Sequence, residues 1–347
     1  MLRRHTRDRM TRRVGTAARR AWILCGLLLA TSAGVRAQPA SASYTLGYLG
    51  QGPKTDARDP ALTFAILVRS LSELGYAEGR NLRIDARFAE GRPEALSALA
   101  RLLVRARPDV IAVNSAGLAR VVLEHTRSVP VVALHAGQLE AEPQVASLRR
   151  PGANLTGMQL HSAELIAKRL QLLSDVVSGL RRVAVLRGVP FEGPGYELYR
   201  DANEAAAARL GIRARYVQFS ATAELESLFA EMVTQRDQAL LVWGNPHLNL
   251  HRKKIAELAL RYRLPALYDV RVPDAPPGEL MVYSARSADV VREAALYIDK
   301  IFRGAKPGDL PIGQARTFEL VINLRAAKAL GVSIPQALLL RADEVIE

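Results

Sequence analysis

The chain has 347 residues, 49% of them hydrophobic and 24% charged, with 48 basic against 34 acidic side chains and a formal net charge of +14. That length leaves room for two cores of ordinary size, and the balance excludes both a disordered chain and a polytopic membrane protein. Much of the charge is local: residues 1–37 hold nine arginines against the single acid Asp8, leaving 39 bases and 33 acids in the rest. The body shows no basic stripe interleaved with aromatics, so no nucleic-acid partner is expected.

The chain opens with a cationic stretch ending in Arg19 and Arg20, followed by an apolar run over 21–30 and small residues leading to Val35-Arg36-Ala37. This is the pattern of a signal peptide cleaved near Ala37, and the apolar run falls short of the ~20 residues of a membrane span. An uncleaved anchor is the alternative, and Thr11-Arg12-Arg13 leaves twin-arginine export open beside the general secretory route. The only cysteine, Cys25, lies inside the apolar run, so neither lipidation nor a disulfide is expected. The expected location is the periplasm.

From Tyr44 onward β-rich runs alternate with amphipathic helices. Strands are expected at 45–49, 82–88, 110–113 and 131–134, with helices at about 64–74, 93–106 and 117–125. Phe64, Leu67, Val68, Leu71 and Leu74 share one helical face, and Gly75 stands where a helix ends. Val110-Ile111-Ala112-Val113 is apolar on both faces, as in a parallel strand covered on each side. The rhythm then restarts. Helices are expected at 163–177, 196–210, 222–235 and 248–262, and strands at 182–186, 212–217, 239–243 and 266–268. A last helix at 287–303 takes Ser287 as its cap. The Pro/Gly-rich segments at 151–157 and 276–278 mark the places where the chain is expected to cross between halves. The predicted fold class is α/β, as two doubly wound lobes joined by a hinge. The first lobe comprises 44–157 plus about 287–318, and the second 158–284 plus about 319–347.

Nucleotide and metal chemistry finds no frame. The Gly47, Gly50 and Gly52 run lacks the dinucleotide spacing, no Walker lysine motif exists, and His247 and His251 have no accompanying ligands, so no cofactor or metal is expected. Ser115, in Val113-Asn114-Ser115-Ala116-Gly117, reads as a helix cap, half of a nucleophile elbow, or part of a carboxylate site at a helix start. In open α/β sheets ligands bind beyond the carboxyl ends of the strands. Those ends present Gln51, Asn114, Ser115, His135, Gly137 and Gln138 from the first half. The second half presents Trp243, Asn245, Tyr268 and Asp269, with Phe191 nearby. Asn114 and Ser115 are candidates to hold a carboxylate, Trp243 and Tyr268 to pack an apolar portion, and Asp269 to meet a cation.

Several segments then carry a family resemblance. They are Leu71-Ser72-Glu73-Leu74-Gly75-Tyr76 with Glu78-Gly79-Arg80-Asn81; Arg150-Pro151-Gly152-Ala153-Asn154-Leu155-Thr156-Gly157; Arg263-Leu264-Pro265-Ala266-Leu267-Tyr268; and Gly304-Ala305-Lys306-Pro307-Gly308-Asp309. With the tail from Glu319 to Ile346, they resemble the substrate-binding proteins of ABC transporters, of the tryptophan/tyrosine-binding type. The resemblance implies a type I periplasmic-binding fold, a small-molecule ligand in the cleft, and delivery to a permease in the inner membrane. It implies no enzymatic activity. One departure is Gln138-Leu139-Glu140, where family members carry Asp-Pro-Val, which removes an acid that would pair with an ammonium group. A monomer is expected. An exported serine hydrolase using Ser115, and a ligand-sensing accessory protein, remain the alternatives.

Overall fold

The computed structural model describes residues 43–52, 54, 63–160, 163–188, 194–244, 246–272 and 278–347. The expected signal peptide with Cys25, the candidates Phe191 and Asn245, and the Pro276-Pro277 pair lie outside the described residues.

Two sheets organise the chain. The first contains β1 (Tyr44–Gly50), β2 (Leu82–Phe88), β3 (Val110–Val113), β4 (Val131–Ala136), β5 (Leu155–Gln159) and the two-residue β11 (Gly313–Gln314). Its order is β11-β5-β4-β3-β1-β2, and every pairing is parallel. The second contains β6 (Arg182–Gly188), β7 (Arg213–Phe219), β8 (Ala239–Val242), β9 (Ala266–Tyr268), β10 (Met281–Ala285), β12 (Phe318–Asn323) and β13 (Glu344–Ile346). Its order is β13-β12-β10-β9-β8-β6-β7, with β12 antiparallel to β10 and the other pairings parallel.

Short apolar strands split their side chains between two helical layers, as period-two geometry requires. In β3, Val110 and Ala112 enter one core cluster and Ile111 and Val113 the other. In β8, Ala239 and Leu241 alternate with Leu240 and Val242 in the same way. The first sheet is covered by α1 (Thr63–Glu73), α2 (Leu96–Arg105) and α3 (Ala116–Leu123). The second carries α4 (Ala163–Val176), α5 (Pro194–Arg209), α6 (Thr222–Thr234), α7 (Pro246–Leu250), α8 (Arg252–Arg261), α10 (Leu324–Leu330) and α11 (Gln336–Leu339).

Helix α9 (Ser287–Phe302) follows β10 of the second sheet, yet it buries Val291, Ala294, Ala295 and Ile298 in the first lobe's core, beside Leu67 and Leu71 of α1. The chain therefore passes between sheets three times: after β5, after β10, and between β11 and β12. The first passage comes later than the Pro/Gly signal at 151–157 suggests. Residues 151–154 are the turn feeding β5, with Gly152 at φ +84° and its N–H donating to the Gly308 carbonyl at 3.0 Å. Helix α9 begins one residue earlier than a Ser287 cap requires. Arg286 occupies the cap position, and no side chain caps the helix.

Candidate functional site

Parallel order places the carboxyl ends of β1 to β5 along one edge of the first sheet, and those of β6 to β10 along one edge of the second. The two edges meet at the start of α5. A Cβ built on Gly195 would lie 3.6 Å from the Gln138 carbonyl oxygen and 3.9 Å from the Ala141 Cβ. First-lobe and second-lobe residues thus touch beside the candidate Gln138.

On the first lobe, the Tyr48 hydroxyl donates to Asn114 Oδ1 at 2.6 Å. Burial pushes the Tyr48 hydroxyl well above the usual phenol range, so it stays protonated as the donor. With its oxygen engaged, the half-buried Asn114 has its NH₂ group left as a donor. Tyr48 packs against Phe64 and Phe88, with ring centroids 4.6 and 5.5 Å away. Gly50 ends β1 with bare backbone, because a Cβ there would sit 2.8 Å from the Phe88 ring.

Ser115 is the N-cap of α3, its Oγ accepting the Leu118 N–H at 3.2 Å. Among the described residues no histidine or carboxylate is hydrogen-bonded to it, so the capping role is what the geometry supports. Gln51, His135 and Gly137 are half-buried at the same edge. The His135 Nε2 lies 3.3 Å from the Ser287 carbonyl at the start of α9, and burial holds its pKa below the ordinary value. Gln138 is 6% exposed, and its Oε1 has no partner among the described residues.

The second lobe uses its candidates differently from the sequence-based expectation. Trp243, 2% exposed, lies inside an aromatic stack. Tyr199 packs at 3.6 Å and 16° between planes, and Tyr196 at 5.7 Å and 19°. The Arg187 guanidinium sits 4.1 Å over the half-buried Tyr196 ring. Tyr268 is fully buried in the core and lies 4.6 Å from the Arg252 guanidinium, which pairs with the buried Glu279. It has no surface to pack a solute, because β9 is the middle of a sheet covered on both faces.

Asp269 is 2% exposed. Its Oδ1 accepts the Gly244 N–H at 2.5 Å, and Oδ2 lies 3.8 Å from the buried Arg169 guanidinium. Its charge is met inside the lobe, which corrects the expectation that it meets a ligand cation. His251, a weak metal candidate, has its Nδ1 2.9 Å from Thr222 Oγ1. No cluster of three or more potential metal ligands occurs among the described residues.

Sequence reasoning missed Tyr48, Tyr196, Tyr199 and Arg169. The tyrosines carry a partial signal: Tyr48 lies within the glycine run at the end of β1, and Tyr196 and Tyr199 are three apart on one helical face. Arg169 carries none, since a lone arginine in an amphipathic helix reads as surface.

The model of the family described as ABC transporter substrate binding protein matches residues 59–346. The chain belongs to this family. A "Tyrosine-binding protein" of Clostridioides difficile (strain R20291) is 19% identical over 268 residues, spanning 76% of this chain and 74% of that protein. Among solved structures, the ABC domain in complex with L-Trp from Streptococcus pneumonia superposes with a TM-score of 0.78 at 21% identity, covering 88% of this chain and 100% of that one. A periplasmic ribose ABC transporter protein from Conexibacter woesei gives 0.56 at 14% identity, over 88% and 99%. The substrate-binding protein described here accordingly has the type I periplasmic binding fold. No helix among its described residues is long and apolar enough to cross a membrane.

Proposed function

We propose that this substrate-binding protein is the periplasmic component of an ABC importer and closes two lobes on a small organic solute bearing a carboxylate. The first lobe comprises about 44–160 with 286–316, and the second the remainder of the body. The observation that carries the reading is the meeting of two unlike surfaces at Gly195 and Gln138. One is an edge of hydrogen-bond donors, the other an aromatic stack.

The Asn114 amide, oriented by Tyr48, and the backbone at the start of α3 hold the acceptor group of the ligand. Ser115 shapes that turn by capping it. Gln51, His135, Gly137 and Gln138 line the same lobe, and the Tyr196 edge of the stack packs a flat apolar portion, with Trp243 supporting it from behind. Contacts to both lobes favour the closed state, and the closed surface is what an inner-membrane permease recognises. The protein works as an exported monomer, without catalysis.

The tyrosine and tryptophan in the names of the relatives make aromatic amino acids the first ligands to try, followed by aromatic acids without an ammonium group. Isothermal titration of the purified chain against that panel tests the reading. Saturable one-to-one binding that Asn114→Ala weakens supports it, and absence of heat with every member of the panel removes the carboxylate-solute assignment.

A further inference from the structure

A second concave region lies at the opposite pole of the first lobe, at the amino ends of β3 and β4. It is an open hollow of about 500 Å³, lined by Arg107, Asp109, His125, Thr126, Arg127 and Ser128, among others. Strand β3 is four residues long, so roughly 13 Å of sheet separates this pocket from Asn114 at the cleft edge.

Its chemistry is distinct. Arg107 and Arg127 are exposed, and no carboxylate pairs with either guanidinium among the described residues. The acid in the lining, Asp109, is committed to the fold: its Oδ2 accepts the Thr45 N–H at 2.6 Å and so ties β3 to β1. Thr126 Oγ1 accepts the N–H groups of Ser128 and Val129 at 3.2 and 3.0 Å, which leaves its hydroxyl proton to donate. The His125 ring is anchored at 3.0 Å to Ser97 Oγ.

The matching pole of the second lobe is built otherwise. There Asp237, two residues before β8, is met by Arg182 of the adjacent β6 at 3.9 Å and by Arg215 of β7, the strand beyond it, at 2.5 Å. By strand register the counterpart of Asp109 is Gln238, whose Oε1 likewise accepts backbone N–H groups, from Arg181 at 2.6 Å and Arg182 at 3.1 Å, whereas the counterpart of Asp237 is Pro108, so the first lobe has no acid at that position.

We propose that this pocket is an anion site, separate from the solute cleft, that takes a phosphate group. Two guanidinium forks suit the oxygens of a phosphate, and the open hollow is larger than the bare ion, so a phosphate carried on an organic body fits it. The inference stands independently of the proposed transport role.

The test uses the full chain at low ionic strength, with inorganic phosphate as the first probe and vesicles of phosphatidylglycerol or phosphatidylcholine as the second. Arg107→Gln, Arg127→Gln and the double variant are compared with the parent, and circular dichroism confirms that they fold. Each single change is expected to weaken phosphate binding about tenfold, and raising the salt weakens it further. Phosphate binding without a vesicle difference between parent and double variant assigns the site to a soluble phosphate compound. A preference for phosphatidylglycerol that the double variant loses assigns it to a lipid headgroup. Binding that the double variant leaves unchanged, or no saturable binding to either probe, overturns the proposal.

Discussion

Arg169 is 1% exposed, and together with Asp269 it links the middle of β10 to the carboxyl ends of β9 and β8. Its Nε donates to the Tyr283 carbonyl at 3.1 Å and its Nη2 to the Asp269 carbonyl at 3.1 Å, while the Asp269 carboxylate reaches on to the Gly244 N–H. A buried charge that loses its partner carries its full desolvation cost, so Asp269→Asn should destabilise the protein by about 3–5 kcal/mol in urea unfolding. A loss under about 1 kcal/mol would mean that the pair is as weak as a surface one.

His135 makes a pH prediction. Its folded pKa is held below 6.5 by burial, whereas the unfolded chain takes up the proton near the ordinary value. Between those two values the unfolded state binds more protons, so stability rises with pH across the window and falls on acidification below 6.5. His135→Gln should flatten that part of the stability curve; an unchanged slope would show that His135 does not supply it. Sequence reasoning places His135, Asn114 and Ser115 at or just beyond the carboxyl ends of β3 and β4, where the structure has them, because strand ends are readable from apolar runs. It misjudged Asp269 and Tyr268 because nothing local in a sequence says whether an acid after a strand meets solvent or a buried arginine 100 residues away.

At the scale of elements, helix periodicity was the most readable signal, since α1, α2 and α6 each keep apolar residues at three- and four-residue spacing. Strands β5 and β12 carry no comparable signal, as each depends on neighbours distant in the chain. Strand β12 pairs antiparallel with β10 only because α9 and β11 have made an excursion to the other lobe. The contact of β5 with β4 rests on one glycine. Gly157 has φ +147°, and a Cβ there would fall 2.1 Å from the Ala133 carbonyl oxygen. Gly157→Ala should therefore cost about 3 kcal/mol or more, or prevent folding. Near-parental unfolding of that variant would show that β4 and β5 can separate without penalty.

The whole molecule is governed by the three passages between sheets, which leave each lobe with its own core and join them through short segments. At the second and third passages the Arg286 N–H donates to the Thr317 carbonyl at 3.0 Å, the Thr317 hydroxyl donates to Asp289 on α9, and Arg286 pairs with Asp343. Such short, mutually bonded connectors suit rigid-body rotation of the lobes about a hinge. The lobe contact at Gly195 offers a way to oppose closure. Gly195→Trp places a large ring against the Gln138 carbonyl and Ala141, so it should hold the lobes apart and weaken solute binding about tenfold or more. Unaltered affinity would mean that the bound state does not need this contact.

The most direct measurement is small-angle X-ray scattering of the parent protein, with and without a saturating solute identified by titration. The radius of gyration should decrease on binding, while Gly195→Trp remains at the larger value. A parent particle of identical dimensions in both conditions, despite full occupancy, would contradict ligand-driven closure.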